Sequence, residues 1–185
     1  MMHHPPQTHN KPETRSAVER FRADKDRHFA TNPNSPLTAQ QRQEFRGLSY
    51  FPEDPALRQE VRIEPADGPA TIVLQVSSGG TQTYRRFGRV KVTIGDTVAE
   101  LTVFANEHGF FLPFADALAG SETYGAGRYL EPQPLGNGRF RIDFNYAYNP
   151  YCAYNDRWSC PVTPAENRLH VAIRAGEKLY SKTGR

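Results

Sequence analysis

Arg128, Asp143, Cys152 and Cys160 are the side chains of this sequence best suited to chemistry, and all four fall between Thr123 and Leu169. Arg128 sits in Tyr124-Gly125-Ala126-Gly127-Arg128-Tyr129. A Gly-x-Gly turn can aim backbone N–H groups at an anion, and a guanidinium can clamp a carboxylate or phosphate with two parallel hydrogen bonds. The third glycine of a dinucleotide fingerprint is missing, and so is its strand–turn–helix context. The structural alternative is a strand whose glycines let a ring or another backbone approach closely. Asp143 closes a second strand. Phe140, Ile142 and Phe144 take one side of it, and Arg139, Arg141, Asp143 and Asn145 take the other. An Asp143 carboxylate beside Arg128 would stay ionised, with its pKa lowered. The two are expected to be neighbours beneath the loop Asn145-Tyr146-Ala147-Tyr148-Asn149-Pro150. Asparagine side chains in such a loop imitate backbone turns, and Pro150 forces Asn149 out of the helical region.

Cys152 and Cys160 are eight residues apart. Three readings stand open: packed reduced thiols, a disulfide or redox pair closing a short loop, or part of a metal site. Only Asp156 and His170 lie near enough in sequence to complete a ligand set, and the spacing is no zinc pattern. Reduced thiols without a metal are the expectation. His28, His108 and His170 are isolated, and His170 alternates outward from Leu169 and Val171. A cysteine nucleophile with His170 as its base rests on proximity alone. No Gly-x-Ser-x-Gly elbow, His-Glu-x-x-His helix or phosphate-binding loop occurs.

The elements that must position these groups follow from apolar periodicity. Residues 1–13 read as a disordered arm, and 14–182 as a single β-rich domain with N-terminal helices. A helix is expected from Thr14 to Phe29, with Val18, Phe21, Lys25 and Phe29 near one stripe and the Lys25 stem lying along it. Ser16 and Glu19 have the spacing of a capping box, and Arg20–Asp24 and Arg22–Asp26 that of i,i+4 ion pairs. A second helix fits Ala39 to Arg46, capped by Thr38 and Gln41 and stopped by Gly47.

From Arg58 the period becomes two. Ile72, Leu74 and Val76 alternate, then Val90, Val92 and Ile94, and after Gly95-Asp96 the run Ala99, Leu101 and Val103. Phe110 to Phe114 contains Pro113, which places that strand on an edge. Gly136-Asn137-Gly138 turns a hairpin, and Leu169, Val171 and Ile173 mark a last strand. The sum is a mainly β fold, an antiparallel barrel or sandwich of about eight strands, with the barrel preferred because closure removes edges.

Composition narrows the function classes. The net charge of +3 comes entirely from residues 1–50, where basic and acidic residues are mixed along one segment. That is a solvated face rather than a nucleic-acid footprint. No apolar run approaches the ~20 residues that span a bilayer, and no secretory h-region opens the chain, so a cytoplasmic protein is expected.

Several motifs carry a resemblance. Ser-Pro-Leu at Ser35–Leu37, GLSYFPEDPALR at Gly47–Arg58, TYGAGRY at Thr123–Tyr129, DFNYAYNPYCAY at Asp143–Tyr154, CPVTPAENRL at Cys160–Leu169 and AGEK at Ala175–Lys178 occur in order. In these the chain resembles an uncharacterised family of bacterial and archaeal proteins, the domain of unknown function numbered sixteen eighty-four. The resemblance implies one domain and assigns no reaction. The reading that follows is a ligand-binding β-domain with no cofactor. Its pocket is lined by Tyr124, Arg128, Tyr129, Asp143, Asn145, Tyr148, Asn149 and Asn167, and its partner is a small anionic molecule. A hydrolase, a cysteine-based redox catalyst and a protein-interaction module are the alternatives.

Overall fold

The computed structural model describes residues 15–181. The arm expected at residues 1–13 lies outside the described residues. Among the described residues two α-helices come first, α1 (Ala17–Thr31) and α2 (Ala39–Glu44). Eight strands follow: β1 (Arg58–Arg62), β2 (Thr71–Gln75), β3 (Thr81–Ile94), β4 (Thr97–Asn106), β5 (Gly109–Phe114), β6 (Arg128–Leu130), β7 (Gln133–Gly136) and β8 (Arg139–Asp143). Beyond β1 the helical turns are short 3₁₀ pieces such as Phe144–Tyr146 and Tyr151–Ala153.

Both helix starts are set by local chemistry. The Ser16 hydroxyl accepts from the Glu19 N–H at 3.1 Å, and the Glu19 carboxylate accepts from the Ser16 N–H at 2.7 Å. Thr38 and Gln41 close the same reciprocal pair on α2. Each satisfies two N–H groups that the helix itself leaves open. The ion pairs expected along α1 are replaced by other partners. Arg22 donates to the Phe51 carbonyl at 3.0 Å, Asp26 accepts from the Leu48 N–H at 3.0 Å, and Asp24 pairs with Arg27 at 3.1 Å. An exposed i,i+4 pair contributes only about 0.3–0.5 kcal/mol and yields to such partners. Helix α2 is shorter than its pattern, because Phe45 turns extended and packs on Phe29, Leu37 and Tyr154.

The strands form two antiparallel sheets, β1-β8-β7 and β2-β3-β4-β5-β6. Their facing apolar residues share one core. Val90, Val92, Leu101 and Val103 come from the larger sheet, and Phe140 and Ile142 from the smaller. No closed barrel forms among the described residues, so the arrangement is sandwich-like and the preference for a barrel is corrected. The sheets are stitched instead by hydrogen bonds from β1 and the residues just past it to β3, where the Gln59 side chain donates to the Thr93 carbonyl and accepts from its N–H. Glu64, just past β1, exchanges backbone hydrogen bonds of 2.8 and 2.7 Å with Arg89 of β3. Gly88 makes this approach feasible, since a Cβ there would stand 2.7 Å from the Glu64 carbonyl oxygen.

Two strand expectations change. β5 is not an edge strand: residues 109–111 pair with β4, and 112–114 pair with β6. Continuing the β4 register would set Pro113 opposite Thr102, where proline has no N–H to give. The Asn167 side chain fills that place. It donates to the carbonyls of Thr102 and Pro113, both at 2.8 Å, and accepts from the Thr102 N–H at 2.7 Å. The second change concerns Leu169, Val171 and Ile173, which form no strand. Leu169 and Val171 each make one backbone hydrogen bond to the 115–117 segment, and the Ile173 N–H goes to the Asp116 carboxylate at 2.8 Å. His170 is exposed.

Candidate functional site

The expected Arg128–Asp143 pair does not form. Arg128 begins β6 opposite Phe114, and its side chain is 1% exposed. Its Nη1 donates to the Ala175 carbonyl at 2.5 Å and the Glu177 carbonyl at 3.0 Å, and its Nη2 to the Ile173 carbonyl at 2.9 Å. The Asp116 carboxylate lies 3.6 Å away, and the Phe114 ring is 5.2 Å from the guanidinium carbon. Burial pulls the Arg128 pKa down to about 10, against the opposing pull of Asp116 and Glu177. The guanidinium therefore pins the irregular segment 173–177 into the core. Gly127 permits this close packing, with φ at +101° and the Phe114 carbonyl oxygen 2.6 Å from where a Cβ would stand. The close-approach reading of the two glycines holds at that position.

Asp143 has a different partner because β8 lies beside β1, which places Arg58 directly across from it. Arg58 Nε donates to Asp143 at 2.7 Å, and its Nη2 to Glu53 at 2.9 Å. The other Asp143 oxygen caps the turn that follows by accepting from the Asn145 N–H at 3.1 Å. The hydrogen bond from Arg58 to Asp143 is the main reason the Arg58 pKa is raised. Three of the expected site residues are braces of the backbone. Asn145 exchanges hydrogen bonds of 2.8 Å with both main-chain groups of Asp54. Asn149 donates to the Lys178 carbonyl at 2.8 Å. Asn167 is the clasp between β4 and β5.

The tyrosines are the part of the expected site that gathers around open space. Tyr129 and Tyr148 exchange backbone hydrogen bonds of 2.8 and 3.0 Å, with ring centroids 5.9 Å apart, edge to face. Together they wall a groove of about 610 Å³ between α1 and the loop of residues 148–160. Phe21, Tyr151 and Trp158 continue the aromatic wall, and Lys25 lies in it. Tyr151 and Trp158 meet edge to face at 5.1 Å, and the indole N–H is held by the Pro36 carbonyl at 3.2 Å. Phe21, Lys25, Tyr151 and Trp158 lie outside the set of expected site residues. The lysine placed inside the apolar stripe of α1 is a signal for the two helical residues alone.

Lys25 joins the groove to a buried acid. It is ion-paired with Glu177, which is 1% exposed, and its ammonium lies 4.9 Å from the centre of the Tyr148 ring. Glu177 also accepts from the Tyr154 hydroxyl at 2.5 Å and the Asn149 N–H at 2.8 Å. Burial, then the charge of Glu177, holds the Tyr154 hydroxyl protonated, with its pKa raised well above the ordinary phenol value.

Tyr124 belongs to the cluster beneath the groove. Cys152, Cys160 and Tyr129 are buried together there, with Tyr124 and Trp158 packed against them. The Cys152 N–H donates to Cys160 Sγ at 3.3 Å, and the Tyr124 hydroxyl lies 3.7 Å from Cys152 Sγ. Both cysteines stand as free thiols. The hydrogen bond from Cys160 draws the Cys152 pKa down to about 6, while the same contact pushes Cys160 up. Among the described residues no histidine hydrogen-bonds to either sulfur, and no group of three or more His, Cys, Asp or Glu side chains is arranged to hold a metal ion. No helix among them is long and apolar enough to cross a membrane.

The chain is similar to a solved protein, the solution NMR structure of an uncharacterised protein of Haloarcula marismortui. The identity is 36%, covering 87% of this chain and 91% of that one, with a TM-score of 0.66. No curated protein matches the chain. The model of the family described as protein of unknown function (DUF1684) matches residues 43–178, and the chain belongs to that family.

Proposed function

We propose that this member of the DUF1684 family binds a small, flat, largely apolar molecule with one acidic group, in the groove between α1 and residues 148–160. The observation that carries this reading is the wall of rings around Lys25: Phe21, Tyr129, Tyr148, Tyr151 and Trp158 line one space. Its volume falls within the roughly 300–1,000 Å³ of small-molecule sites. Rings of this kind give apolar contact with little loss of side-chain freedom, and Tyr adds a polar tip. Lys25 supplies direction. Its ammonium has three N–H groups, of which Glu177 engages one side, so a carboxylate or sulfonate in the groove can take another. Glu131, which also lines the groove, accepts from the Tyr148 hydroxyl at 2.9 Å. The ligand-binding role expected at Arg128 and Asp143 moves to this groove, because both Arg128 terminal nitrogens hold backbone carbonyls in the core and Asp143 is engaged by Arg58 and Asn145.

Trp158 is the single tryptophan of the chain and lies in the groove wall, so binding there has its own optical reporter. The probe is 1-anilinonaphthalene-8-sulfonate, a flat apolar molecule with one acidic group. Its emission is expected to rise on addition of the folded protein, with energy transfer from Trp158. Tyr148→Ser and Phe21→Ser are each expected to weaken binding about tenfold, the loss of roughly one aromatic contact plus its burial. Unchanged binding in both variants, with their folds intact by circular dichroism, overturns the groove as the site.

A further inference from the structure

The cysteines beneath the groove carry an inference that does not depend on any ligand of the groove. The Cys152 N–H meets Cys160 Sγ at 3.3 Å, so the second sulfur lies against the backbone of the residue that carries the first. The two cysteines lie in one cluster, 7% and 8% exposed, and Cys160 lines the groove, so solvent-borne reagents have a path to the pair. Polar groups are set around them. The Tyr124 hydroxyl reaches Cys152 Sγ at 3.7 Å, and the Ser77 hydroxyl accepts from the Cys160 N–H at 3.0 Å, fixing the backbone beside the second sulfur. A pair of structural thiols needs neither the mutual contact nor a phenol.

We propose that Cys152 and Cys160 form a redox-active dithiol that is oxidised to an intramolecular disulfide by low-molecular-weight disulfides. The Cys152 thiolate attacks one sulfur of the disulfide RSSR, forming the mixed disulfide and expelling RS⁻. Cys160 then gives up its proton, and its sulfur attacks Cys152 Sγ, expelling the second RS⁻. The two protons of the protein thiols end on the two expelled thiolates. The pair is oxidised by two electrons, and RSSR is reduced to two RSH. The lowered pKa of Cys152 supports its part as the attacking sulfur at neutral pH, with the Tyr124 hydroxyl and the Cys160 S–H as donors to its thiolate.

Arg157 lies between the two cysteines, so trypsin cuts inside the loop that the disulfide would close. The full-length protein is incubated with oxidised glutathione at neutral pH, alkylated and digested. The expected product is a linked pair, Ile142–Arg157 joined to Trp158–Arg168, that separates on reduction, with alkylation of both cysteines reduced about tenfold. Cys160→Ser is expected to retain glutathione on Cys152, because the sulfur that would displace it is gone. Full alkylation of both wild-type cysteines after exposure to oxidised glutathione overturns the proposal. So does a disulfide found only between two protein molecules.

Discussion

Arg128→Ala is expected to lower the unfolding free energy by about 3–5 kcal/mol, the range for breaking a buried charge pair from one side. The substitution leaves three backbone carbonyls, those of Ile173, Ala175 and Glu177, without their donor in a place that water does not reach. It also leaves Asp116 buried with only neutral donors, the Thr123 hydroxyl at 2.9 Å and the Ile173 N–H. Arg128→Lys keeps the charge but cannot reproduce the planar fork that spans these carbonyls, so it is expected to lose about half as much. Urea-induced unfolding followed by tyrosine fluorescence or circular dichroism measures both. A loss below about 1 kcal/mol for the alanine variant would show that segment 173–177 docks without Arg128, and would reopen the guanidinium as a ligand contact.

Glu177→Gln is expected to cost about 3 kcal/mol, for a reason of sign rather than size. The carboxylate faces the Lys25 ammonium on one side and the Tyr154 and Asn149 donors on the other. An amide oxygen can still serve one side, but the NH₂ group then opposes a cation or another donor. Lys25 would be left charged with 14% of its side chain exposed and no acid in contact. Lys25→Met removes that charge while keeping the apolar stem. The double variant Lys25→Met with Glu177→Gln is therefore expected to lose at least about 1 kcal/mol less than the sum of the single losses. Strict additivity in denaturant unfolding would show that the two side chains do not act as a pair.

Elements governed by neighbours in sequence are legible in the residues alone. The capping boxes at Ser16 and Thr38 are contacts within four residues, and both form. The change of apolar period past Arg58 follows from which face is buried, and β2, the second half of β3, β4 and β5 lie where the alternating runs predict. The turn at Gly136-Asn137-Gly138 is dictated by positive φ, observed at +82°, +52° and +67°. The resemblance to the family also holds, since the family model matches residues 43–178.

Partners across the chain are not legible in this way. Asp143 and Arg128 both read as charges in need of a partner, but the partner depends on which strands are adjacent. β8 beside β1 gives Asp143 to Arg58, and the inward turn of segment 173–177 gives Arg128 to backbone carbonyls. Alternation at Leu169, Val171 and Ile173 promises a strand, yet a side chain from elsewhere satisfies part of that backbone, so no ladder is required. The sequence by itself determined the helical preface, the antiparallel β body and the crowding of Tyr, Asn and Cys into one stretch, because each rests on local sterics or on periodicity. Only the tertiary structure decided that the asparagines are braces, that α1 brings Phe21 and Lys25 against Tyr148, and that Cys152 meets Cys160. Those contacts join elements up to 152 residues apart in sequence, as with Lys25 and Glu177, and no local pattern encodes which distant surface a side chain will meet.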